Sequence, residues 1–186
     1  MGKSTAAGAF QRLRVPVFDA DAAVHALQAR GGRAVRPIER EFPGTTQDGV
    51  VIREKLRSAV LGDPAALRRL EAIMHPLVRD EQRRFLGRAR ARGTRLVVLD
   101  IPLLFETRHD LSEFDRILVV SAPPAVQRSR VLRRRGMTEE RLAAIRARQM
   151  PDAQKRRRAD VVIRTGLSRR HAEAAVRRLV GKLRHA

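Results

Sequence analysis

Along the first third of the chain, apolar positions recur at helical spacing, interrupted by one short extended run. Ala6, Ala7, Phe10 and Leu13 share a face and predict a helix over residues 4–13. Val15-Pro16-Val17-Phe18 predicts a strand that ends at Asp19, and residues 20–30 predict a second helix stopped by Gly31-Gly32. From 37 to 92 the apolar period is helical throughout, with breaks expected at Pro43-Gly44, Gly62-Asp63-Pro64 and His75-Pro76. Leu96 to Asp100 and Arg116 to Val120 are continuous apolar runs, the pattern of strands covered on both faces. Val161-Val162-Ile163 is a third such run, and residues 125–135, 139–149 and 168–183 return to helical spacing. This alternation predicts an α/β fold, a parallel sheet flanked by helices, with a helical insertion over about 37–92.

Composition narrows the class. Of 186 residues, 43% are hydrophobic, enough for a packed core, which excludes a wholly disordered basic chain. The absence of Cys excludes a disulfide framework, a thiolate metal site and a cysteine nucleophile. No apolar run approaches the roughly 18–20 residues that span a bilayer, and the N-terminus has no secretion-signal pattern. A cytoplasmic protein with no membrane partner is the expectation. The net charge of +20 is carried by 36 Arg and only four Lys, which suits phosphate-bearing partners and equally a GC-rich codon bias. The aromatic residues are six Phe, a poor supply of base-stacking platforms, so no specific nucleic-acid partner is expected.

Chemistry enters at the first residues. Gly2-Lys3-Ser4-Thr5 is the second half of the G-x-x-x-x-G-K-[ST] phosphate-binding loop, followed by a helix as that pattern requires. In such a loop backbone N–H groups curl around phosphates, the Lys ammonium reaches them, and the Ser hydroxyl ligates Mg²⁺. Taken alone, the same residues also describe an exposed Lys at a helix start. Downstream, Asp19-Ala20-Asp21 closes a strand, where carboxylates face the ligand crevice of parallel sheets. One carboxylate there can accept a hydroxyl proton while the other holds metal or substrate; either can instead cap the helix that begins at this point.

In order along nearly the whole chain, the motifs resemble the dephospho-CoA kinase family. The resemblance rests on Gly2-Lys3-Ser4-Thr5, on Val15 through Asp19-Ala20-Asp21, and on Leu70 through Ile73-Met74-His75-Pro76. It rests further on Asp100-Ile101-Pro102-Leu103-Leu104-Phe105-Glu106, and on Asp115, Gln127, Arg130, Arg134, Gln149, Lys155 and Ala159-Asp160. It implies a phosphate-loop fold with transfer of the ATP γ-phosphoryl to the ribose 3′-hydroxyl of dephospho-CoA, using Mg²⁺, in a monomer or weak oligomer. Core residues 1–36, 93–127 and 159–186 would carry the insertion at 37–92 on the acceptor side and a helical lid at 128–158. ATP would meet Gly2, Lys3, Ser4, Thr5, Arg130, Arg134 and Thr165. The acceptor would meet Asp19, Asp21, His75, Pro76, Asp100, Pro102, Leu103 and Phe105, although core packing explains Leu103 and Leu104 as well. Ser4, with Asp100 through water, would serve the metal. Lys3, Asp21 as base with Asp19 in reserve, and Arg134 would carry catalysis. The lid segment holds 12 Lys/Arg against Glu139, Glu140 and Asp152, with a hinge at Gly136.

Two departures shape the expectation. Where the family commonly has an Asn near the adenine, this chain has Arg164-Thr165-Gly166. The loop's first half, and the strand ahead of it that would centre the sheet, fall before Met1, so the chain as written is expected to bind ATP poorly; nanomolar affinity would contradict that. Competing readings are another small phosphate-loop kinase, a catalytically impaired remnant, and a basic nucleic-acid-binding protein, whose affinity would fall steeply with salt and ignore Lys3→Ala.

Overall fold

A computed structural model describes residues 2–106, 110–133, 135–147 and 149–184. Along the chain run α1 (Lys3–Arg12), β1 (Val17–Asp19), α2 (Ala20–Gln28), α3 (Val35–Glu41), β2 (Thr46–Gln47) and β3 (Val50–Val51). There follow α4 (Arg53–Val60), α5 (Pro64–Ala91), β4 (Val98–Asp100), β5 (Leu118–Ser121), α6 (Pro124–Leu132), α7 (Glu139–Ala147), α8 (Asp152–Arg157), β6 (Val161–Arg164) and α9 (Arg169–Arg184). They form two compact units, one made of the chain up to Val17 and from Pro102 onward, the other of Phe18–Ile101.

In the first unit, α1 lies along α9. The predicted apolar stripe accounts for this: α1 buries Ala6, Ala9 and Phe10, and α9 buries Ala172, Val176 and Val180. Small residues on both helices permit close approach, and the rim is polar, with Arg12 bridging Glu173 at 2.6 Å. The Arg184 guanidinium donates to the Leu13 carbonyl at 2.8 Å, placing a cation at the end of α1, where orphan carbonyls favour one. Strands β5 and β6 pair in parallel, Leu118 opposite Val161 through Ser121 opposite Arg164. The Asp160 carboxylate accepts the Ile117 N–H at 2.7 Å and sets the start of that register. Helix α9 covers β6, and α8 packs on β5.

The second unit is built on a cluster of Leu27, Ala34, Val35, Ile38, Phe42, Val51, Leu56, Ala66 and Met74. Here α2, α3 and α4 each pack against α5. Asp63 caps α5 by accepting the N–H groups of Ala65 (2.8 Å) and Ala66 (3.0 Å), with Pro64 in the first turn where its missing N–H costs nothing. Arg33 forks to Asp80 at 2.5 Å and Glu81 at 2.7 Å.

Two expectations need correction. The break predicted at His75-Pro76 is absent, because α5 runs unbroken for 28 residues with Pro76 inside it. Its buried residues Ala66, Met74 and Ala89 hold the helix on the core, while Pro76 sits on the exposed face. The run from 37 to 92 is not helical throughout either: β2 and β3 form a hairpin, Thr46 opposite Val51. Its turn residues Asp48 and Gly49 both have positive φ, 51° and 74°, the conformation that an Asp-Gly pair favours in a two-residue turn. The described strands form three pairs, β1 with β4, β2 with β3, and β5 with β6. The strand runs themselves fall where the apolar pattern put them. Among the described residues no helix is long and apolar enough to cross a membrane.

Candidate active site

Gly2 turns the chain into α1. Its φ of +94° is a left-handed conformation that side chains rarely adopt, and a Cβ there would stand 3.1 Å from the Thr165 side chain. Conformation therefore favours glycine at this position, and a Cβ would also crowd Thr165. Lys3 opens α1, and Ser4 and Thr5 follow in its first turn, Ser4 exposed. Gly2 at the N-cap brings no side-chain oxygen to this helix start, and the start of a helix favours an anion.

Thr165 forms the floor beneath Gly2. It is buried; its N–H and hydroxyl donate to the Ser121 carbonyl at 2.8 and 3.2 Å, and its own carbonyl accepts from Arg130 at 2.9 Å. Three residues assigned to ATP by sequence, Gly2, Arg130 and Thr165, thus meet at one place. The predicted lid residue Arg134 lies outside the described residues. Several neighbouring cations are tied locally: Arg128 to Glu139, Arg141 to the Gly136 carbonyl, and Arg156 to Asp152. Arg133, Arg135, Arg157 and Arg158 are exposed, as a solvated face would be.

Pro102 to Glu106 form a turn in the same unit, with the Glu106 N–H donating to the Leu103 carbonyl at 3.0 Å. Leu103 has φ +56° and is 44% exposed, which removes core packing as its explanation. A strained, exposed leucine is a feature of ligand-contacting turns. Phe105 and Pro102 are half-buried beside it in sequence. The Glu106 Oε1 accepts from the Met150 N–H at 2.8 Å and from Lys155 Nζ at 2.7 Å. Burial pushes the Glu106 carboxyl up, but Lys155 and the Met150 N–H outweigh that and hold it below the ordinary range.

In the other unit the two aspartates separate in role. Asp19 ends β1 and caps α2, its Oδ1 accepting the Ala22 N–H at 3.0 Å. Asp21, in the first turn of α2, is exposed and makes no hydrogen bond or ion pair among the described residues. Asp100 is the last residue of β4, the strand paired with β1. His75 and Pro76 lie together on the exposed face of α5.

Ser4 in the first unit and Asp100 in the second each carry a hard oxygen of the kind that Mg²⁺ takes. Among the described residues no group of three or more His, Asp or Glu gathers. Sequence reading passed over Ser121 and assigned no role to Glu106 or Lys155. A charged residue ending the apolar run 101–105 was the available signal for Glu106.

The comparisons with known proteins agree with these features. A family model described as dephospho-CoA kinase matches residues 1–169. The chain is 62% identical over 156 residues to the dephospho-CoA kinase of Paramagnetospirillum magneticum, covering 84% of this chain and 73% of that protein. It is 54% identical to that of Mesorhizobium japonicum, covering 99% of this chain and 92% of that one. Among solved structures, a Thermus thermophilus protein at 37% identity superposes with a TM-score of 0.79, covering 98% of this chain and 92% of its own. The dephospho-CoA kinase of Campylobacter jejuni, at 19% identity, shares the fold with a TM-score of 0.67 over 98% of this chain and 91% of its own. With a family match from the loop residue Gly2 past Thr165, the chain belongs to the dephospho-CoA kinase family.

Proposed function

We propose that this chain transfers the γ-phosphoryl group of ATP to the ribose 3′-hydroxyl of dephospho-CoA, giving ADP and coenzyme A. The observation that carries the reading is the family match over residues 1–169, which spans every residue given a role here. In the transfer, the 3′-oxygen forms its bond to the γ-phosphorus as the bond to the ADP oxygen breaks. The hydroxyl proton goes to the Asp21 carboxylate. Asp21 suits this role because its carboxylate is unengaged, whereas Asp19 is committed to the Ala22 N–H.

The remaining residues position and neutralise, which supplies most of the rate in phosphoryl transfer. The Lys3 ammonium, at the positive end of α1, balances phosphate charge. Thr165 supports the Gly2 turn from beneath, which we favour over a direct contact with adenine, since its hydroxyl already donates to Ser121. Arg130, and Arg134 by the resemblance, add positive charge near the transferred group. The Ser4 hydroxyl, and Asp100 through water, would hold Mg²⁺, which would supply positive charge to the phosphate oxygens. His75, Pro76, Pro102, Leu103 and Phe105 would contact the acceptor. The reaction would take place in the cytoplasm, with the chain a monomer or weak oligomer.

The test is ADP release from MgATP with and without dephospho-CoA, the product being identified by mass. Release that depends on dephospho-CoA and yields a 3′-phosphorylated product supports the assignment. ADP release from a panel of other hydroxyl acceptors but not from dephospho-CoA would refute it.

A further inference from the structure

We propose that Glu106 is a positioning residue, a clasp that ties the exposed turn at 102–106 to the segment 150–157 and thereby holds Leu103 in its strained conformation. Glu106 receives two donors from that segment, the Met150 N–H ahead of α8 and the Lys155 ammonium within it. The ion pair is nearly enclosed, its side chains 14% and 12% exposed. On its far side, α8 is held by Asp152, whose Oδ2 accepts from the Ser121 hydroxyl at 2.8 Å at the end of β5. The turn, α8 and the end of β5 are therefore linked in series by two carboxylates.

Stability alone is a poor reason for this arrangement. A buried ion pair is commonly no more stabilising than well-packed apolar side chains of the same volume. Among the described residues the Oε2 of Glu106 and the Oδ1 of Asp152 are buried with no protein hydrogen-bond partner. What the pair does provide is direction. Glu106 is hydrogen-bonded through its own N–H to the Leu103 carbonyl, so fixing Glu106 bears directly on a leucine at φ +56°. If the turn meets the acceptor, as the proposed function has it, Glu106 couples acceptor binding to the 150–157 segment. The inference rests on that reading for its kinetic consequence only.

The experiment compares the unsubstituted protein with Glu106→Leu, which removes both contacts, and Glu106→Gln, which keeps an acceptor for Met150 but leaves Lys155 without its counter-charge. Amide hydrogen exchange should quicken roughly tenfold across 149–157 in Glu106→Leu, while α1 and α9 stay protected. In steady-state ADP release, the KM for dephospho-CoA should rise about tenfold and the KM for ATP should stay within roughly twofold. Lys155→Met should reproduce the pattern, and Glu106→Gln should give a smaller rise. Should Glu106→Leu fail to fold, Glu106→Gln carries the test through faster exchange over 153–157. Unchanged exchange in a folded variant overturns the clasp. An unsubstituted protein that releases no ADP refutes the proposed function instead, and exchange still decides the clasp.

Discussion

At the scale of single residues, the separation of Asp19 from Asp21 carries the most weight. Both carboxylates were visible in the sequence, and spacing alone left either able to cap α2 or to accept a proton. The hydrogen bond from Ala22 to Asp19 resolves the capping half of that choice. Asp21→Asn should lower kcat about 10²–10⁴-fold with little change in the KM for ATP, since it removes the proton acceptor and leaves the loop intact. Asp19→Ala should act mainly on folding, costing about 1 kcal/mol in urea unfolding, the usual value of an N-cap. The reverse pattern, with Asp19→Ala abolishing kcat and Asp21→Asn silent, would exchange their roles. Gly2→Ala places a Cβ at 3.1 Å from Thr165 on a left-handed backbone, so ATP affinity should fall in a folded protein, as read by calorimetry. Leu103 was legible by name but not by state: its side-chain class pointed to the core, and only the backbone shows it strained and exposed.

At the scale of elements, periodicity located nearly every helix and strand, because amphipathic helices and buried strands carry their burial in their spacing. It missed the hairpin at 46–51, whose strands of two residues are too short to express a period. The Asp48-Gly49 pair was the sign that could have found it. The Glu39 carboxylate secures that hairpin, accepting the Gly44 N–H at 2.8 Å and the Thr46 hydroxyl at 2.7 Å, and these bonds hold it below its ordinary range. A carboxyl depressed by folding contributes fully above its unfolded value, about 4.3, and loses that contribution as pH falls through the folded value. Stability should therefore decline more steeply with acid in the unsubstituted protein than in Glu39→Gln; superposable acid profiles would contradict this. Helix α5 tolerates Pro76 only because tertiary packing outweighs a lost backbone hydrogen bond. Pro76→Ala should raise stability by about 1–3 kcal/mol in urea unfolding. A destabilised Pro76→Ala protein would mean that the proline relieves some strain in the long helix.

For the whole molecule, the class was legible from the alternation of strands and helices and the family from the ordered motifs. The division into one unit of the chain up to Val17 and from Pro102 onward and another of Phe18–Ile101 is read from the structure. The charge of +20 is partly absorbed locally, in pairs such as Arg33 with Asp80 and Glu81 and Arg12 with Glu173. What remains suits phosphate-bearing substrates in general. The most direct measurement is ADP release from MgATP in the presence and absence of dephospho-CoA. It should be made on the unsubstituted protein and on Asp21→Asn. The account predicts turnover that requires dephospho-CoA and is lost in Asp21→Asn. A folded protein that binds MgATP yet releases no ADP with dephospho-CoA would contradict it.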